Sequence, residues 1–140
     1  MRRLFSPLVF VALVLMVSCG AGDKPASPAT PEPAAAPTGP LLESIQIAMQ
    51  GTATSDGELR IEFTPDGGET KAIVVKVATT IPSDEVVRDL RTALKASIYP
   101  DYLVDRWDPD KIRIALNKQT TPFRLRVAAL TANGLTIRLE

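Results

Sequence analysis

From residue 44 to the end, apolar and polar side chains alternate one for one, and a four-residue period interrupts that alternation in a single stretch. Ile45, Ile47 and Met49 alternate with Ser44, Gln46 and Ala48, and Leu59, Ile61 and Phe63 alternate with Glu58, Arg60 and Glu62. Period two places successive side chains on opposite faces of a strand, so each run predicts a strand with one buried face. Gly51 and Asp56-Gly57 separate these two runs, and Pro65-Asp66-Gly67-Gly68 supplies the next turn. The β-branched run within 71–80 alternates less strictly, which predicts a more buried, central strand. Residues 102–107, 111–116, 123–129 and 135–140 continue the strand pattern. Asn133-Gly134 sits between the last two runs and predicts a tight hairpin closing an antiparallel meander.

The four-residue period spans Ser83 to Ile98, where Val86, Leu90, Leu94 and Ile98 form one stripe with Val87 and Ala93 beside it. Ser83 after Pro82 is the expected N-cap, Asp84 and Glu85 suit the positive end of the helix dipole, and Tyr99-Pro100 stops the helix. An apolar stripe must be covered, and the sheet is its only large partner. The expected fold is α+β: a mostly antiparallel sheet of about six to seven strands with one amphipathic helix packed on one face.

Composition changes the picture upstream of this domain. Residues 21–40 read AGDKPASPATPEPAAAPTGP, with prolines at 25, 28, 31, 33, 37 and 40 and almost nothing to bury, which predicts a tether. Before it, Arg2 and Arg3 precede the apolar run Leu4 to Val17, followed by Ser18, Cys19 and Gly20. A charged start, a short apolar middle and a small-residue exit form the pattern of a secretory signal peptide. The run contains Pro7 and is shorter than the roughly 20 apolar residues that span a bilayer. With the cysteine at its end, the segment resembles the lipobox of bacterial lipoproteins, although Met16 stands where that family usually carries Leu. The resemblance implies cleavage before Cys19 and acylation of its thiol. It also implies anchoring by lipid to the cell membrane or outer membrane, on the exported side. The organisation expected is a signal peptide over 1–18, lipidated Cys19 with its tether over 19–40, and one α+β domain over 41–140.

Charge and residue inventory then bound the chemistry. Taking Arg2 and Arg3 from sixteen basic residues leaves fourteen against sixteen acidic ones, a net charge of −2 from residue 20 onward. That balance gives no bulk reason to expect nucleic acid as a partner. The chain has no histidine and a single cysteine, so it forms no internal disulfide, no Cys/His zinc site and no histidine-based triad. No cofactor is called for.

Three groups of residues remain as candidates. Strand alternation sends Arg60, Arg113, Arg124, Arg126 and Arg138 away from the core, where forked guanidinium bonds could grip carboxylates or phosphates. Arg124 and Arg126 are the leading pair for an envelope protein or an anionic polymer. Asp101, Asp105, Asp108 and Asp110 cluster without the spacing of an EF-hand, and no metal site is expected from them. Tyr99, Tyr102 and Trp107 flank the helix exit and suggest an aromatic platform, with Trp107 its best residue. The reading that follows is a lipid-anchored, non-enzymatic interaction module whose partners are the membrane and an envelope component. The alternative is a small envelope hydrolase using carboxylates and arginines, which requires those groups to converge in a pocket.

Overall fold

A computed structural model describes residues 39–140, and the expected leader, Cys19 and all but the end of the tether lie outside the described residues. Seven strands and one helix follow in the order β1 (Ser44–Gly51), β2 (Gly57–Pro65), β3 (Lys71–Val77), α1 (Ser83–Ile98), β4 (Tyr102–Asp108), β5 (Lys111–Leu116), β6 (Phe123–Leu130) and β7 (Leu135–Leu139). The fold is α+β with every strand pair antiparallel, as the alternation predicts.

The strands divide between two sheets, ordered β4-β5-β1-β7 and β3-β2-β6. Their apolar faces and the α1 stripe enclose one core. Ile45, Ile47, Met49, Val104, Ile112 and Ile114 come from the larger sheet, Leu59, Ile61, Phe63, Ile73, Val75 and Phe123 from the smaller. Phe63, Phe123 and Tyr102 meet across the two sheets, with ring centroids 4.7 to 5.5 Å apart. Val86, Val87, Leu90, Leu94 and Ile98 of α1 are all buried, and the helix packs on β3 and on β1, β4 and β5. The predicted stripe is therefore the face that covers the core.

Four sequence expectations are corrected by this arrangement. The strand within 71–80 is not central: β3 is an edge strand, covered by α1 on one face only, and Val74 on its other face is exposed. Its β-branched residues therefore reflect cover on one side. Ser83 lies inside α1, and the boundary residue is Pro82, whose carbonyl accepts from the Glu85 and Val86 amides; no side chain caps this end.

The Asn133-Gly134 turn does not close a hairpin, because β6 pairs with β2 and β7 pairs with β1. The C-terminal meander accordingly stops at the β4-β5 hairpin. The connection from β6 is captured by the β1-β2 corner. Thr131 N–H donates to the Glu58 carbonyl at 3.0 Å, Asn133 N–H to Ser55 Oγ at 3.1 Å, and Thr54 N–H to the Asn133 carbonyl at 2.8 Å. Gly134 has φ +82°, and a Cβ there would stand 2.2 Å from the Thr52 carbonyl oxygen. Glycine at this position thus permits both the left-handed backbone and the close approach that turns the chain into the other sheet. The dipeptide turns the chain locally, while the strands on either side of it pair with β2 and β1.

Candidate functional site

Dividing the strands between two sheets also divides the outward-facing arginines. The outer face of β3-β2-β6 carries Arg60, Arg124 and Arg126, while that of β4-β5-β1-β7 carries Arg113 and Arg138. The single arginine surface expected from alternation is therefore two surfaces with different chemistry.

On the smaller sheet the arginines are engaged by carboxylates of the same face. Arg126 lies opposite Glu62 in register; its Nε donates to Glu62 Oε2 at 3.1 Å, and Nη2 reaches the same oxygen. Arg60 Nε stands 4.0 Å from the other Glu62 oxygen. Arg124 donates through Nε to the Gly39 carbonyl at 3.2 Å, and its Nη1 is 3.5 Å from Asp66. Lys76 pairs with Glu58 at 3.1 Å on the same face. Opposite charges on neighbouring strands neutralise this surface locally. Each exposed pair adds at most about 1 kcal/mol.

The larger sheet presents a different face. The register of β4 against β5 shifts between Arg106 and Asp108, so Trp107 occupies a bulge. A bulge re-aims the side chain it carries. Here it lays the indole against Arg113, whose guanidinium carbon is 5.4 Å from the ring centroid. Trp107 is nonetheless 56% exposed, and Leu103, four residues earlier on the same strand, is 40% exposed. Arg113 sits opposite Gln46 of β1, and Arg138 of β7 sits opposite Ala48. Lys111 on this face is held by Glu140 at 3.0 Å. Arg113 and Arg138 form no ion pair within 4.0 Å among the described residues, although Asp105 stands opposite Arg113 in register and Asp108 opposite Lys111. The result is an open surface on which Asp105, Arg113 and Gln46 form one row across β4, β5 and β1, with the Trp107 indole resting on Arg113 from the bulge beside it.

The expected aromatic platform does not form as a unit. Tyr102 is 4% exposed and belongs to the core, where its hydroxyl donates to the Thr121 carbonyl at 3.0 Å. Tyr99 is exposed beyond the helix end, with Lys95 Nζ 5.9 Å from its ring centroid. Trp107 alone of the three lies on the outer sheet face. Alternation sends Tyr102 inward and Leu103 outward, and Trp107 reaches the outer face from its bulge. The bulge that aims Trp107 depends on the β4-β5 register and has no signal in the sequence.

The acidic run is also dispersed, and among the described residues no three carboxylate or other ligating side chains gather around a common point. Asp101 lines a groove with Pro100, Asn117, Lys118, Gln119 and Thr120. This groove brings a carboxylate near an ammonium and amides, and no arginine lines it. Among the described residues no helix is long and apolar enough to cross a bilayer.

Fold and surface together define a two-sheet α+β domain whose larger sheet exposes a tryptophan stacked on an arginine. No family model, curated protein or solved structure matches the chain.

Proposed function

We propose that this protein is a lipid-anchored component of the bacterial cell envelope that presents a small, non-enzymatic interaction domain on a tether. The leader ending at Cys19 supports the anchor, because the thiol has no other use in a chain with one cysteine and no histidine. The observation that carries the domain's role is the exposed Trp107 stacked on Arg113, with Leu103 exposed further along the same strand. An exposed tryptophan and a half-buried arginine stand together here. They are the residue types on which binding energy concentrates. The face of Arg124 and Arg126 is the rival contact surface; its guanidiniums would first have to exchange their carboxylates for those of a partner.

Two measurements test the proposal. Metabolic labelling of cells with a tagged fatty acid should mark the wild-type chain and not Cys19→Ser, and a labelled serine variant would refute the anchor. Capture of envelope material by the protein should fall for Trp107→Ala and persist for Arg124→Ser combined with Arg126→Ser. The opposite pattern would move the contact to the smaller sheet.

A further inference from the structure

Resting on the lipid-anchored reading, we infer that β4 is the membrane-facing edge of the domain. Leu103 and Trp107, with Tyr99 before them, sit in the headgroup layer of the bilayer that holds Cys19, whatever the charge of its lipids. Among the described residues six large apolar side chains are exposed, and Tyr99, Leu103 and Trp107 are three of them, all on β4 or its entry. A fourth, Leu41, stands where the upstream chain enters the domain. That entry lies at the Leu103 end of β4. The Leu116 amide donates to the Glu43 carbonyl at 3.0 Å, Tyr102 lies opposite Leu116, and Ser44, Ala115 and Leu103 form one row across β1, β5 and β4. Two interstrand steps, roughly 10 Å, therefore separate the tether's exit from Leu103. Gly39 follows Cys19 by twenty residues. Such a length reaches at most about 70 Å, so an anchored domain stays within contact range of its own bilayer.

Residue type selects the headgroup layer as the occupant. Trp and Tyr concentrate at that level of a membrane, and Lys and Arg beside them lay their stems along apolar surface while keeping their charge in water. Both exposed aromatics here carry such a cation: Lys95 Nζ is 5.9 Å from the Tyr99 centroid, and the Arg113 guanidinium carbon is 5.4 Å from that of Trp107. The face has no surplus charge to draw an anion. Asp105 stands opposite Arg113, Asp108 opposite Lys111, and Glu140 on Lys111, so three carboxylates meet three cations when Arg138 is counted. Zwitterionic lipid suits that balance. Depth is bounded by the same residues: the outer backbone groups of an edge strand and the Asp105 carboxylate, exposed between Leu103 and Trp107, keep water or headgroup partners and stay out of hydrocarbon. So shallow a contact is weak by itself, and the anchor makes it effectively intramolecular.

Trp107 is the chain's only tryptophan, so its emission reports the contact directly. The lipidated full chain is reconstituted into phosphatidylcholine vesicles that contain lipids brominated either near the carbonyl end of the acyl chain or near its tip. Shallow bromines should quench most of the emission and deep bromines little, and added phosphatidylglycerol should change neither result. Leu103→Ser combined with Tyr99→Ser, with unchanged far-ultraviolet circular dichroism, should bring the emission back toward that in unbrominated vesicles while the chain still floats with them. Emission that ignores shallow bromines, stronger quenching by deep ones, quenching that requires phosphatidylglycerol, or full quenching in the double variant would each overturn the inference. If shallow bromines fail while the wild-type chain floats with the vesicles, the anchor stands and the membrane-facing edge is wrong. If the chain neither floats nor takes up labelled fatty acid, the reading beneath the inference has failed and the contact falls with it.

Discussion

Leu94→Ala tests the packing on which every statement about the outer faces depends. Leu94 has no exposed surface and lies in the α1 stripe with Val86, Leu90 and Ile98. Alanine removes three carbon atoms from that position. At about 0.8 kcal/mol per buried methylene, the transfer cost alone is about 2.4 kcal/mol. Incomplete collapse of the cavity raises the total to about 3 to 4 kcal/mol. A small domain is stable by about 5 to 15 kcal/mol, so this one substitution removes a large share. With a urea dependence near 1.5 kcal/mol per molar, the unfolding midpoint should fall by about 2 M. Val74→Ala supplies the control, since Val74 is 44% exposed on the outward face of β3 and should shift stability by under about 0.5 kcal/mol. Circular dichroism during urea titration of the three proteins measures the difference. Equal midpoints for Leu94→Ala and the wild type, or a larger loss for Val74→Ala, would mean that α1 does not cover the core with this face.

Two further outcomes follow from the corners and the charged face. Gly134→Ala forces a side chain into φ +82° with its Cβ 2.2 Å from the Thr52 carbonyl oxygen, and thermal unfolding should show a loss of at least about 1 to 3 kcal/mol; a neutral effect would place the β6-β7 connection elsewhere. Arg124→Ser combined with Arg126→Ser removes exposed ion pairs with Asp66 and Glu62, so unfolding at low salt should change by no more than about 1 kcal/mol per pair and less at high salt; a larger loss would show that these pairs are structural.

Secondary structure was legible because each element's period survives the tertiary fold. The α1 stripe and the alternation of β1, β2 and β5 are buried and exposed in the order the residues suggest. Pairing was less legible, and the Asn133-Gly134 turn shows why. A two-residue turn signal describes only local backbone preference, whereas the partner of β7 is decided by bonds to Thr54, Ser55 and Glu58, some 73 to 78 residues away for those to Glu58 and Ser55. β3 misled for a related reason. A run of Ala, Ile and Val is consistent with burial on one face or on two, and sequence periodicity does not say where the covering helix stops.

The candidate site was half legible on the same grounds. Alternation identified all five outward arginines, but neutralisation depends on which carboxylate stands across the ladder, and that is set by pairing. Glu62 faces Arg126 because β6 joins β2. The pairing that satisfies Arg124 and Arg126 also sends β7 to β1, which brings Arg138 onto the sheet of Arg113 and Trp107. One topological choice thus decides which carboxylates stand beside the arginines of each sheet. The contrast between the two faces is a property of strand order, and two chains with the same alternation pattern but a different β6 partner would expose different binding surfaces.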